Sequence, residues 1–115
     1  MSHLMRDLRL ALWEAVAVQI PRYLAAPAMQ RLVGEPGPVL VDAAGRAVYF
    51  FVPADTCWAM DDTTAVPASS LTLPPRTRVL PPGRYWLVRP DDQLRLADPA
   101  ALSTALSMPE QQWAA

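Results

Sequence analysis

Lysine and asparagine are absent from this chain, cysteine and histidine occur once each, and only four residues are glycine. With Cys57 alone, no intrachain disulfide can form. With His3 as the only imidazole, the donors of a Cys/His zinc centre are missing. A carboxylate-only metal site would need converging acids, and only Asp61-Asp62 and Asp91-Asp92 come in clusters. The scattered glycines form neither Gly-x-Gly-x-x-Gly nor a Gly-Lys-Ser/Thr loop, which excludes the known phosphate-cradling loops. Ser69, Ser70 and Ser103 lack the Gly-x-Ser-x-Gly context of a serine hydrolase. No window approaches the roughly 18 uninterrupted apolar residues of a membrane span, and no long apolar core follows a basic start. The expectation is a cytoplasmic protein without membrane contact, metal or other cofactor.

What is present is an apolar chain of ordinary domain size. Its 115 residues are 52% hydrophobic and 18% charged, which fits one domain over 1–115 and excludes a disordered tail. Ten arginines oppose eleven acids for a net charge of −1, so no global field drives the chain onto nucleic acid or an anionic membrane.

The pattern predicts an α+β fold: a single mixed or antiparallel sheet with two hairpins, packed by a short helix near 24–33 and a C-terminal helix near 99–107. For Leu8–Ile20 a helix and a pair of strands compete. Strands are favoured because Val16, Val18 and Ile20 share one face, and Pro21 ends the element. Leu24, Ala28, Arg31 and Leu32 stand at helical spacing, with Pro27 tolerable in a first turn and Gly34 as C-cap. Pro38–Asp42 and Ala47–Pro53 are two β-rich runs around Ala43-Ala44-Gly45-Arg46. They read as a hairpin in which Gly45 supplies a positive φ, and their apolar character on both faces makes them central. Residues 54–70 read as a long loop with one helical turn around Cys57–Met60. Leu71–Leu73 reads as the start of a strand interrupted by Pro74-Pro75; Thr77–Leu80 and Arg84–Val88, around Pro81-Pro82-Gly83, read as a second hairpin. Asp98 caps a helix opening with Pro99 and presenting Leu102, Ala105 and Leu106. The expected core is Val41, Val48, Phe50, Trp86, Val88, Leu102 and Leu106.

Four segments carry a resemblance: Leu8–Val16, Gly37–Asp42 through Tyr49–Pro53, Thr77–Leu80 through Gly83–Val88, and Leu96–Pro99 into the last helix. Together they resemble small actinobacterial proteins that are themselves similar to the N-terminal domain of bifunctional DNA primase-polymerases. The likeness spans most of the chain, rests on apolar patterns and turns, and implies a mixed sheet flanked by helices. Enzymes of that family hold two metal ions for in-line phosphoryl transfer with an Asp-x-Asp pair on a strand and further acidic and histidine positions. This chain has no Asp-x-Asp, and adjacent Asp61 and Asp62 would point to opposite sides of an extended backbone. No catalytic residue carries over, and the resemblance implies a reduced or repurposed member.

The remaining chemistry is that of binding. Cys57, without a histidine partner in sequence, reads as a buried, inert residue beside Trp58. Arg76, Arg78, Arg84, Arg89 and Arg95 fall within twenty residues and interleave with Tyr85 and Trp86. Arginines among aromatics on a sheet can hold phosphates and stack bases. The plainer alternative makes Arg76 and Arg78 the solvated face of a strand, pairs Asp91 and Asp92 with neighbouring arginines, and puts Trp86 in the core. These absences weigh against an enzyme. The leading expectation is a non-catalytic accessory or regulatory protein that presents a sheet edge or its long loop to a protein partner or a second copy. Trp58, Met60, Arg76, Arg78, Arg84, Tyr85 and Arg89 are the candidate contact residues, and apolar surplus such as Trp113 would join a patch. The alternative is a nucleic-acid or nucleotide-phosphate binding module built on the Arg-rich half.

Overall fold

The computed structural model describes residues 12, 14–32, 34, 36–90 and 95–107. At its centre is the first expected hairpin: β2 (Val39–Asp42) pairs antiparallel with β3 (Ala47–Val52), Val41 opposite Val48. All six β3 residues are buried, as a run apolar on both faces requires. β1 (Val16–Pro21) lies on the other side of β3, β4 (Thr64–Pro67) flanks β1, and β5 (Arg84–Val88) flanks β2. The sheet order is β4-β1-β3-β2-β5, and every neighbouring pair is antiparallel. The fold is α+β.

Helices cover one face. α1 (Arg22–Arg31) and α2 (Pro99–Ser107) enclose Val18, Ile20, Val39, Val41, Val48, Phe50 and Val52 with Ala25 and Leu102. The Asp98 cap forms as its sequence dictates, Ala100 N–H donating to Asp98 Oδ1 at 3.0 Å. Arg31, in the last turn of α1, donates from Nη1 to Ala105 O at 2.9 Å and so ties the two helices together. Of the seven expected core residues, five are buried; Val88 and Leu106 are half-buried and pack against the same cluster.

An irregular strap covers the opposite face. Beyond β4 a 3-10 turn (Ala68–Ser70) leads the chain over the sheet, and Leu71 and Leu73 pack against Leu40, Tyr49, Phe51 and Trp86. Sixteen residues, 68–83, separate β4 from β5, and Leu71 at the end of the 3-10 turn is extended (φ −101°, ψ 146°), yet 71–73 form no ladder.

Several expectations need correction. In the described part of Leu8–Ile20, strand begins only at Val16: Leu12 and Glu14 are helical, as the competing reading had it, and Ala15 N–H bonds Leu12 O at 3.1 Å, while residues 8–11 and 13 lie outside the described residues. α1 starts at Arg22, two residues early, because Arg46 O accepts the Arg22 N–H at 2.9 Å. Pro27 therefore sits in the helix interior, where its missing N–H leaves the Tyr23 carbonyl without its helical partner. The helix ends at Leu32 in extended conformation, so Gly34 lies beyond the C-cap. Residues 54–70 are no single loop: Val16–Gln19 of β1 template β4, and Cys57–Met60 is not helical. Thr77–Leu80 forms no strand, so the second hairpin reduces to one backbone bond, from Trp86 N–H to Arg78 O at 2.8 Å.

The central hairpin closes differently from its expected chemistry. Arg46, not Gly45, takes the left-handed conformation (φ 53°), after a turn in which Arg46 N–H bonds Ala43 O at 3.2 Å. Gly45 sits against the Asp42 carboxylate instead: its N–H donates to Asp42 Oδ1 at 3.2 Å, and a Cβ there would stand 3.1 Å from Asp42 Oδ2, which the side chain relieves by a small shift. Arg46→Gly relieves the left-handed penalty at an exposed site and is expected to raise stability by about 0.5–1 kcal/mol. A urea midpoint that falls in this variant would contradict that origin of the strain.

Candidate sheet-edge interface

β5 is an edge strand with an irregularity that decides where its side chains go. Tyr85 stands opposite Val41 and Trp86 opposite Leu40, but Val88 is opposite Val39, so Leu87 is one residue too many for its partner strand. The bulge puts Tyr85 and Val88, three apart, against the helix-side core, sends Trp86 to the strap side, and turns Leu87 outward at 54% exposure.

The backbone bond from Trp86 to Arg78 draws the loop 76–83 alongside this edge. Val79 and Leu80 on that loop are 43% and 71% exposed. Val79, Leu80 and Leu87 are thus three of the four large exposed hydrophobic side chains among the described residues, the other being Tyr23 on α1. Among the described residues no other backbone bond reaches β5 from outside the sheet. At the opposite edge, β4 is four residues long and ends on Pro67, which has no N–H to offer.

Arginines flank the apolar side chains in sequence. Arg76, Arg78 and Arg89 are exposed. Arg84 has structural work: its Nε lies 3.4 Å from Asp42 Oδ2 directly across β2, its Nη1 donates to Thr72 O at 3.2 Å, and its guanidinium stands 5.7 Å from the Tyr49 ring centroid. It anchors the strap to the sheet rim, and its part-exposed ion pair contributes about 1 kcal/mol or less. Over 63–90 the sequence has four arginines and no acid, so this stretch is +4 in a chain of net −1.

The aromatic residues expected to interleave with these arginines are turned away from solvent. Trp86 is 2% exposed, its Nε1 donates to Pro74 O at 3.2 Å, and its ring lies 5.9 Å from that of Phe51. Tyr85 is half-buried against the helix-side core. The reading that placed Trp86 in the core holds; the pairing of Asp91 and Asp92 lies outside the described residues, as does Trp113.

Trp58 and Met60 sit elsewhere. Both are half-buried and line an open groove of about 480 Å³ with Pro53, Cys57, Pro99 and Ser103, and none of the arginines contributes to its lining. Trp58 packs on the helix-side core and its Nε1 donates to Thr63 Oγ1 at 2.9 Å, while the Thr63 hydroxyl donates to Met60 O at 2.8 Å. They clasp their own loop. Cys57 is exposed, contrary to the expectation of burial, because Trp58 takes the inward position in a segment with no strand alternation to bury both. Asp61 and Asp62 are exposed, Asp62 at a left-handed turn position (φ 66°). Among the described residues no three His, Cys, Asp or Glu side chains converge to hold a metal, and no helix is long and apolar enough to cross a membrane.

Sequence reading located the arginines and missed the leucines. Leu80 beside Pro81-Pro82-Gly83 was the available signal, since an apolar residue at a turn has little to pack against. Comparison with protein-family models, curated proteins and solved structures finds no match.

Proposed function

We propose that this chain is a non-catalytic binding module that engages a protein partner through the β5 edge and the adjoining loop 76–83. The observation that carries the reading is the grouping of exposed Val79, Leu80 and Leu87 along one sheet edge amid exposed arginines. A partner gains apolar burial there without any rearrangement of the sheet. A cytoplasmic accessory protein of this kind, derived from a primase-polymerase-like domain that has lost its Asp-x-Asp, fits the same reading. Nucleic-acid binding is less well supported, because the stacking rings it would use are spent on the core.

The test compares the wild-type chain with L80D/L87D as bait in extract of the native cells. Both substitutions are at exposed positions and should alter stability by only about 0.5 kcal/mol. One protein retained stoichiometrically by the wild type and lost with the double variant supports the reading; retention unchanged by the variant overturns the site. Oligonucleotide binding that collapses between about 50 mM and 200 mM salt and disappears in R78A/R89A would favour the phosphate-binding alternative.

A further inference from the structure

We infer that the occupant of the β5 edge is an extended, acidic segment of the partner, with aliphatic side chains between flanking carboxylates. The inference rests on the binding-module reading and adds the chemistry of what is bound. Charge is the first argument: the stretch 63–90 carries four arginines, of which Arg84 is paired with Asp42 across β2, and no acid, while the remaining chain is net negative. A carboxylate-bearing segment meets complementary charge at this edge, and a basic one meets repulsion.

Shape and backbone chemistry supply the rest. β5 is an edge strand that makes only one backbone bond to the loop beside it, Trp86 N–H donating to Arg78 O, and Leu87 is pushed outward by the bulge. An extended segment can align with such an edge and set alternate aliphatic side chains on Leu87 and on Val79 and Leu80. Arg78 stands beside the middle of the strand, where its carbonyl accepts the Trp86 N–H, and Arg89 follows the strand's end, so carboxylates beside and beyond the aliphatic residues meet a cation. A second copy of this chain fits poorly. Two-fold antiparallel pairing of β5 with itself would bring Arg84 and Arg89 of one copy towards Arg89 and Arg84 of the other, and like charges across a strand pair destabilise it.

The probe is an octapeptide with two glutamates at each end and alternating valine and isoleucine between them, measured by fluorescence anisotropy against the full chain. Its counterpart replaces the four glutamates with lysines. The glutamate peptide is expected to bind about tenfold or more tighter than the lysine peptide, to weaken with added salt, and to lose about tenfold in affinity in R78E/R89E. L87D should abolish its binding. Equal or tighter binding of the lysine peptide at the same residues overturns the acidic inference and leaves the binding module intact. Failure of both peptides, with co-purification of a partner still lost in L80D/L87D, overturns the extended segment alone. A dimer in sedimentation that L87D dissociates would identify the occupant as a second copy and also overturn the inference.

Discussion

Trp86→Ala is expected to lower the unfolding free energy by about 3–5 kcal/mol, a large part of the roughly 5–15 kcal/mol available to a domain of this size. The indole lies on the strap-covered face, clustered with Leu40, Tyr49, Phe51, Leu73 and Leu96. The strap has no ladder of its own, so a cavity beneath it removes much of what holds it down. Truncation also deletes the bond to Pro74 O, leaving that carbonyl to find water. Trp86→Phe keeps most of the apolar area and should cost far less, about 1–2 kcal/mol. Urea denaturation of the two variants gives the comparison. An alanine variant within 1 kcal/mol of wild type would mean that the strap shields the sheet without packing on it.

Gly37 is the second position where a small change should have a large effect. It precedes β2 with φ 72°, and a Cβ there would run into the Arg95 carbonyl and lie 3.1 Å from Ala97 N. Both obstacles are backbone. Ala97 N–H is itself bonded to Phe51 O at 2.8 Å, so the segment that brings in α2 is pinned between β3 and Gly37. Gly37→Ala should therefore add the left-handed penalty of about 1–2 kcal/mol to a displacement of α2 from Leu102's seat, for a total of at least about 3 kcal/mol. Gly34 is the control: its φ is 91° but nothing lies within 4 Å of its would-be Cβ, and Gly34→Ala should cost only the conformational term. Equal melting-temperature losses for the two would remove close approach as the reason for glycine at 37.

What could be read from sequence was what local chemistry determines. The Asp98-Pro99 start of α2, the β2–β3 hairpin and its burial on both faces follow from capping, turn and β propensities within a few residues. The features missed depend on distant partners. Thr64–Pro67 becomes a strand only because β1 offers an edge, and its own pattern is that of an exposed turn-rich segment. Thr77–Leu80 has strand composition, but the strap delivers it to the rim in a course that allows one ladder bond. The same limit applies to the candidate interface. The arginines are visible in the sequence, yet the loss of Arg84 to Asp42, the inward turn of Tyr85 and Trp86, and the outward turn of Leu87 at a bulge follow only from the register of β5 on β2.

The strand order has a consequence for synthesis. The three inner strands β1, β3 and β2 all lie within residues 16–52, and both rim strands come from the later part of the chain. A ribosome delivers the inner sheet first, with two open hydrogen-bonding edges and with Leu40, Tyr49 and Phe51 bare on the side that the strap will cover. The nascent chain thus passes through a stage at which half a protein is all interior. Residues 64–88, short of regular structure as they are, serve as the lid that ends this exposure, and their proline-rich, arginine-studded composition suits a segment that must remain unpaired in water until the inner strands are ready to receive it.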